Sequence, residues 1–171
     1  MKIAVIGHSG SGKSTLAREL GQRYGTEVLY LDSVQFLPGW EIRSEEEKEE
    51  IVKAFLDTHD SWIMDGNYAG LLYERRMGEA DRIVILLFSR FTCLRRVIRR
   101  YFQYQNTTRP SMAEGCKEKP DWEFVGWILH EGRTKARKNR YRNIISRYKG
   151  KVIVVKNQRQ LTACLKEHFP G

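Results

Sequence analysis

The stretch Gly7-His8-Ser9-Gly10-Ser11-Gly12-Lys13-Ser14-Thr15 stands directly behind the apolar run Ile3-Ala4-Val5-Ile6. Residues 2–6 read as a buried strand, and Lys13 to Tyr24 as the helix that follows it. The turn between them fits G-x-x-x-x-G-K-[S/T], with Gly7, Gly12, Lys13 and Ser14 in the fixed places. Its glycines let the backbone curl until successive N–H groups point inward, and the helix adds the positive end of its dipole. Such a cradle holds phosphate. Lys13 is placed to reach the β- and γ-phosphates of ATP, and the Ser14 hydroxyl to complete a Mg²⁺ site. His8, Ser9, Gly10, Ser11 and Thr15 lie in the same cradle and are candidate ATP-binding residues with it.

Strands and helices alternate along the rest of the chain. Residues 27–31 read as a second strand ending at Asp32. Ser44 caps an acidic helix whose apolar stripe is Ile51, Val52, Phe55 and Leu56. Trp62-Ile63-Met64 is a short third strand running into Asp65-Gly66, and 83–88 is the fourth and most apolar one. A basic helix follows over 91–103, then a loop around 110–120, a long helix over 122–148, a fifth strand over 151–155 and a closing helix over 161–169. This alternation predicts one α/β domain over 1–171: a parallel sheet covered on both faces, in the order 2-3-1-4-5 with the phosphate-loop strand in the middle.

The net charge of +9 is not spread evenly. The first 88 residues carry five more acids than bases, while 89–149 carry eleven more bases than acids. One segment therefore owns the positive charge. The three cysteines, Cys93, Cys116 and Cys164, are far apart and fit reduced thiols better than disulfides or a zinc site. With no leading signal segment and no long apolar span, the expectation is a cytoplasmic protein without membrane contact, a monomer or homodimer.

Asp32 and Asp65 are the carboxylates at strand ends. The second strand's carboxylate resembles the one with which shikimate- and gluconate-type kinases meet the acceptor hydroxyl; by that resemblance Asp32 orients or deprotonates such a group, the alternative being a helix or turn cap. Phe36, Trp40 and Tyr68 either ring that cleft or belong to the core. Transfer of a phosphoryl group needs positive charge over the γ-phosphoryl oxygens. Arg96/Arg100 and Arg133/Arg137, each pair four residues apart and so sharing a helix face, are the candidates to supply it from the two sides of a lid at 104–120. The competing reading is an ordinary basic helix face.

The third strand's Asp-Gly end resembles adenylate kinases, and by that resemblance Asp65 holds a Mg²⁺-bound water; capping the next helix is the alternative. The turn Lys156-Asn157-Gln158 lies, on the same resemblance, beside the adenine. Together with Gly7 to Thr15, the stretches Leu31-Asp32-Ser33, Phe36-Leu37-Pro38-Gly39-Trp40, Trp62-Ile63-Met64-Asp65-Gly66-Asn67-Tyr68, Arg90-Phe91-Thr92, Arg109-Pro110, Met112-Ala113-Glu114-Gly115-Cys116, Asp121-Trp122-Glu123-Phe124 and Lys156-Asn157 resemble the DNA topology modulation proteins, adenylate-kinase-related proteins of bacteria, over nearly the full length. The resemblance implies a P-loop kinase using ATP and Mg²⁺ on a small-molecule or nucleotide acceptor, while the family name implies an influence on DNA topology through nucleic acid. Adenylate kinases follow Asp-Gly with an arginine that grips the acceptor monophosphate. Here Asn67-Tyr68-Ala69 stands there, so Asn67 and Tyr68 are expected to hold a hydroxyl- or base-bearing acceptor, with Arg75 or Arg76 as substitutes for the missing arginine.

Overall fold

The computed structural model describes residues 1–104, 111–112 and 122–170. Its elements run β1 (Lys2–Gly7), α1 (Lys13–Tyr24), β2 (Val28–Tyr30), α2 (Leu31–Gln35), α3 (Glu45–Thr58), β3 (Trp62–Asp65), α4 (Tyr73–Glu79), β4 (Arg82–Leu86), α5 (Arg90–Gln103), α6 (Trp122–Leu129), α7 (Lys135–Arg147), β5 (Val152–Val155) and α8 (Gln158–His168). All strand pairs of the sheet are parallel, in the order β2-β3-β1-β4-β5, as expected.

Side chains alternate across a strand, so β1 feeds two cores at once. Ile3 and Val5 pack with Leu16 and Leu20 of α1, Val97 of α5, Ile128 of α6 and Cys164 of α8. Ala4 and Ile6 face the other way, toward Val52 and Phe55 of α3, Met77 of α4, and Tyr141 and Ile144 of α7. Burial on both faces explains why β1 and β4 read as unbroken apolar runs. Cys93 and Cys164 are buried free thiols, and Cys116 lies outside the described residues. No helix among the described residues is long and apolar enough to cross a membrane.

The long helix expected over 122–148 is broken. A 3-10 turn at Glu131–Arg133 separates α6 from α7, and Thr134 starts the second helix by accepting from the Arg137 amide. The reason is tertiary. Ile128 is buried on one face of the sheet and Tyr141 and Ile144 on the other, which one straight rod cannot serve. Gly132 sits at the break, where a Cβ would lie 2.8 Å from the Trp127 carbonyl oxygen.

Two smaller expectations also change. The second strand stops at Tyr30, so Asp32 sits in the first turn of α2 rather than at a strand end. The closing helix starts at Gln158, because the Asn157 side chain accepts from the Gln160 amide and caps it. Of the lid expected over 104–120, residues 105–110 and 113–120 lie outside the described residues; Ser111 and Met112 are buried.

Candidate active site at the phosphate-binding loop

Gly7 closes β1 at φ +143, a conformation that side chains resist. The next residue bonds onward, His8 N–H donating to the Leu86 carbonyl at 3.0 Å. α1 then begins at Lys13 behind Gly12, which takes the left-handed region and offers no side-chain cap to the opening turn. The amides of that turn are therefore left to an incoming anion, the arrangement that makes helix starts bind phosphate. Lys13 Nζ donates across the loop to the His8 carbonyl at 3.3 Å.

The Ser14 hydroxyl donates to Asp65 Oδ2 at 2.5 Å, and Asp65 is buried. Capping the next helix is not its role, since α4 starts at Tyr73 behind Leu72. Hard oxygen donors of this kind suit Mg²⁺, which usually takes one or two protein oxygens and completes its shell with water and substrate phosphate. Among the described residues no group of three His, Cys, Asp or Glu stands ready to hold a metal alone, so a nucleotide would have to supply the rest. Tyr30 pairs with Asp65 across the β2–β3 register, which brings Asp32, two residues on, to the same edge of the sheet. There the Tyr68 hydroxyl donates to Asp32 Oδ1 at 2.8 Å. Phe36 and Trp40 meet edge to face at 5.2 Å beyond it, in a loop where Trp40 itself takes φ +70.

Several predicted site residues are engaged otherwise than expected. The Asn67 amide clamps Gly7, accepting from its N–H at 2.9 Å and donating to its carbonyl at 2.6 Å, so it shapes the loop instead of facing an acceptor. Arg75 is held by Asp57 and Glu79. Arg76 is buried and spent on the carbonyls of Leu71 and Tyr68; burial lowers its pKa to about 10, still protonated at neutral pH. Neither arginine is available to replace the one missing after Asp-Gly.

The two lid pairs also part company. Arg96 donates to the Ser11 carbonyl and, at 2.9 Å, to Gln158 Oε1, with its guanidinium over the Phe88 ring at 4.2 Å. It thus ties the phosphate loop to the turn beside the expected adenine site. Arg100 lies 5.9 Å over Phe124. Arg133 sits in the 3-10 turn, donating to the carbonyls of Ile128 and Phe88, so it does not share a helix face with Arg137. Arg137 rests on the Trp127 ring at 4.2 Å, and Trp127 Nε1 donates to Ser9 Oγ at 3.2 Å. Sequence reasoning missed Trp127 and Tyr141. The signal for Tyr141 was present, four residues beyond Arg137 on the same helix face.

His8 is buried beside Tyr141, edge to face at 5.5 Å, and its Nδ1 has no hydrogen-bond partner among the described residues. Burial, assisted by the charges of Arg133, Lys13 and Lys138, lowers its pKa from 6.5 to about 4. The unfolded chain binds a proton here before the folded one does. His8 therefore costs no stability above pH 6.5 and progressively more as the pH falls toward 4, up to roughly 3 kcal/mol. Urea melts at pH 7 and pH 4.5 test this: the difference between the two should shrink by roughly that amount in His8→Asn, and an unchanged difference would contradict it.

Sheet order, glycine loop and following helix together define a P-loop NTPase fold. Solved structures place the chain beside kinases of that fold. It is similar to shikimate kinase from Acinetobacter baumannii in complex with shikimate, at 16% identity and TM-score 0.56, over 96% of this chain and 89% of that one. Shikimate kinase from Bacteroides thetaiotaomicron gives 14% and 0.52, over 97% and 94%. An uncharacterized protein from Eubacterium ventriosum gives 17% and 0.52, over 95% and 93%. At such identities the likeness is one of fold. No family model matches the chain. The tRNA dimethylallyltransferases of Mus musculus and Homo sapiens are 48% identical over 40 residues, which is 23% of this chain and only 9% of the length of those enzymes.

Proposed function

We propose that residues 1–171 form one ATP-dependent phosphotransferase domain that moves the γ-phosphoryl group to a hydroxyl of a small-molecule or nucleotide acceptor. The observation that carries this reading is the placing of two carboxylates at one side of the sheet: Asp65, bonded to Ser14 of the phosphate loop, and Asp32, in the first turn of α2 behind the neighbouring strand and bonded to Tyr68. Phosphoryl transfer asks a protein chiefly for positioning and for charge at the transferring group. Gly7 to Thr15 would cradle the phosphates, Lys13 would neutralise charge at the transferring group, and Arg133 and Arg137 would add to it. Mg²⁺, when bound, supplies charge neutralisation between the phosphates. Ser14 and Asp65 would hold it. Asp32, oriented by Tyr68, would accept the hydroxyl proton, with Phe36 and Trp40 flanking the acceptor. Asn157 and Gln158 would stand beside the base, Gln158 fixed by Arg96.

Little of such a transition state is proton transfer, so Asp32→Asn is expected at the low end of general-base effects, lowering kcat about 10²-fold with KM for ATP unchanged. The assay is ATP consumption against a panel of nucleosides, nucleotides and sugars. Full activity in the variant would remove Asp32 from the reaction.

A second reading, an ATP-binding protein acting on DNA topology, has one observation in its favour. α5 contains no acidic residue and turns Arg90, Arg95 and Arg99 outward together with Phe91, Ile98 and Phe102. A salt-titrated binding assay with duplex DNA separates the readings. Affinity that falls steeply with salt and survives ATP·Mg favours nucleic acid; loss of affinity on adding ATP·Mg favours a basic face that serves the nucleotide.

A further inference from the structure

Phe124 and Ile128 pack α6 onto the sheet, but Trp127 between them joins neither core. It is half-buried against the phosphate loop, and three contacts hold it there. Its indole Nε1–H donates to Ser9 Oγ at 3.2 Å, across 118 residues of chain. Gly132, in the 3-10 turn behind α6, lies against the same indole. A Cβ on Gly132 would come within 3.1 Å of Nε1 and 3.2 Å of Cδ1, so a larger residue would push the ring off its seat. Arg137 lays its guanidinium over the ring at 4.2 Å.

That stack uses only the flat face of the guanidinium. The N–H groups lie in its plane and stay open to an acceptor. Among the described residues no carboxylate takes up Arg137, although acids elsewhere hold guanidinium groups readily: Arg75 meets Asp57 and Glu79, and Arg147 meets Glu74. The surroundings are positive instead. The charges of Arg133, Lys13 and Lys138 bear on His8 of the loop, and those of Arg137, Arg140 and Arg133 on Tyr141 packed against it. A long side chain with much rotamer freedom, set among like charges, turns outward to water unless something holds it in. Here the indole holds it.

We infer that Trp127 is a positioning residue for phosphoryl transfer: hung on Ser9 and seated on Gly132, it keeps Arg137 beside the phosphate loop with its in-plane donors unspent. The inference rests on the kinase reading and deepens it. Trp127 acts through Arg137 rather than on the substrate, so its contribution lies in placing a charge before the transferring group develops its own.

The test follows transfer from ATP·Mg to whichever acceptor of the panel above wild type phosphorylates. Arg137→Gln should lower kcat about a hundredfold. Trp127→Leu should lower kcat about tenfold and leave ATP·Mg affinity within about twofold, because the loop amides and Lys13 hold the nucleotide. In an Arg137→Gln background Trp127→Leu should cost less than about twofold, since nothing is left to position. Trp127→Phe and Ser9→Ala remove only the indole bond while keeping ring and loop. Each should lower kcat about threefold, and together they should cost no more than either alone, which carries the test even if Trp127→Leu folds poorly. In a nitrogen–proton correlation spectrum, the indole signal missing from Trp127→Phe should shift in Ser9→Ala and again when ATP·Mg is added to wild type. Additive losses in either pair, an effect on ATP·Mg affinity in place of kcat, or an indole signal indifferent to both changes would overturn the inference and leave the kinase reading standing. No transfer by wild type to any acceptor would defeat the kinase reading, and this role with it.

Discussion

Lys13→Ala is expected to lower phosphoryl transfer by about 10²–10³-fold while leaving the circular dichroism spectrum and melting temperature close to those of the parent. The loss corresponds to roughly 3–4 kcal/mol of transition-state stabilisation, the scale of one charge-assisted contact in a site closed to water. Stability should hardly change because the ammonium group's one hydrogen bond among the described residues, to the His8 carbonyl, is long at 3.3 Å. A folded Lys13→Ala protein with undiminished turnover would show that the loop does not serve the reaction. A variant that unfolds would show that Lys13 holds the loop together, which its single long bond does not support.

The largest effect on stability is expected at Gly7. A Cβ there would lie 2.7 Å from the Leu86 amide nitrogen and closer still to the Leu86 carbonyl oxygen, and φ is +143. Both obstacles are backbone in the middle of the sheet, so neither can swing aside. Gly7→Ala must break the β1–β4 pairing, the Asn67 clamp, or both. The expected cost is at least about 3 kcal/mol, beyond the usual range for a single substitution, and is read from chemical denaturation. Gly25→Ala is the control. Gly25 also takes a positive φ, +57, but has nothing within 4 Å of the added methyl, so the substitution should cost about 1 kcal/mol of backbone strain. Equal losses at both positions would show that strain alone, without the collision, sets the effect.

The sheet order was legible because it depends on few and local features. A glycine loop behind an apolar strand, a fully apolar β4 that needs cover on both faces and right-handed crossovers leave few arrangements open. Ser14 and Asp65 were expected at one metal site, Asp65 by resemblance to adenylate kinases, and their side chains do meet in the structure. What escaped depends on distant contacts. The Asn67 clamp joins residues sixty apart, and no local pattern distinguishes a side chain facing an acceptor from one bonded to a neighbouring loop. Arg133 and Arg137 have the spacing of a shared face, but that spacing means nothing across a helix break, and the break at Gly132 exists because α6 and α7 serve opposite faces of the sheet. Arg76 looked like a free cation and is instead buried on two carbonyls.

Whether the protein transfers phosphate, hydrolyses it or only binds it is decided by where the terminal phosphate of ATP goes. With ATP labelled at the γ-position, Mg²⁺ and a pool of nucleosides, nucleotides and sugars, the label should appear in an organic product in wild type and form there at least about a hundredfold more slowly in Lys13→Ala and Asp32→Asn. Label released only as inorganic phosphate, or turnover that begins only when duplex DNA is added, would contradict the kinase account.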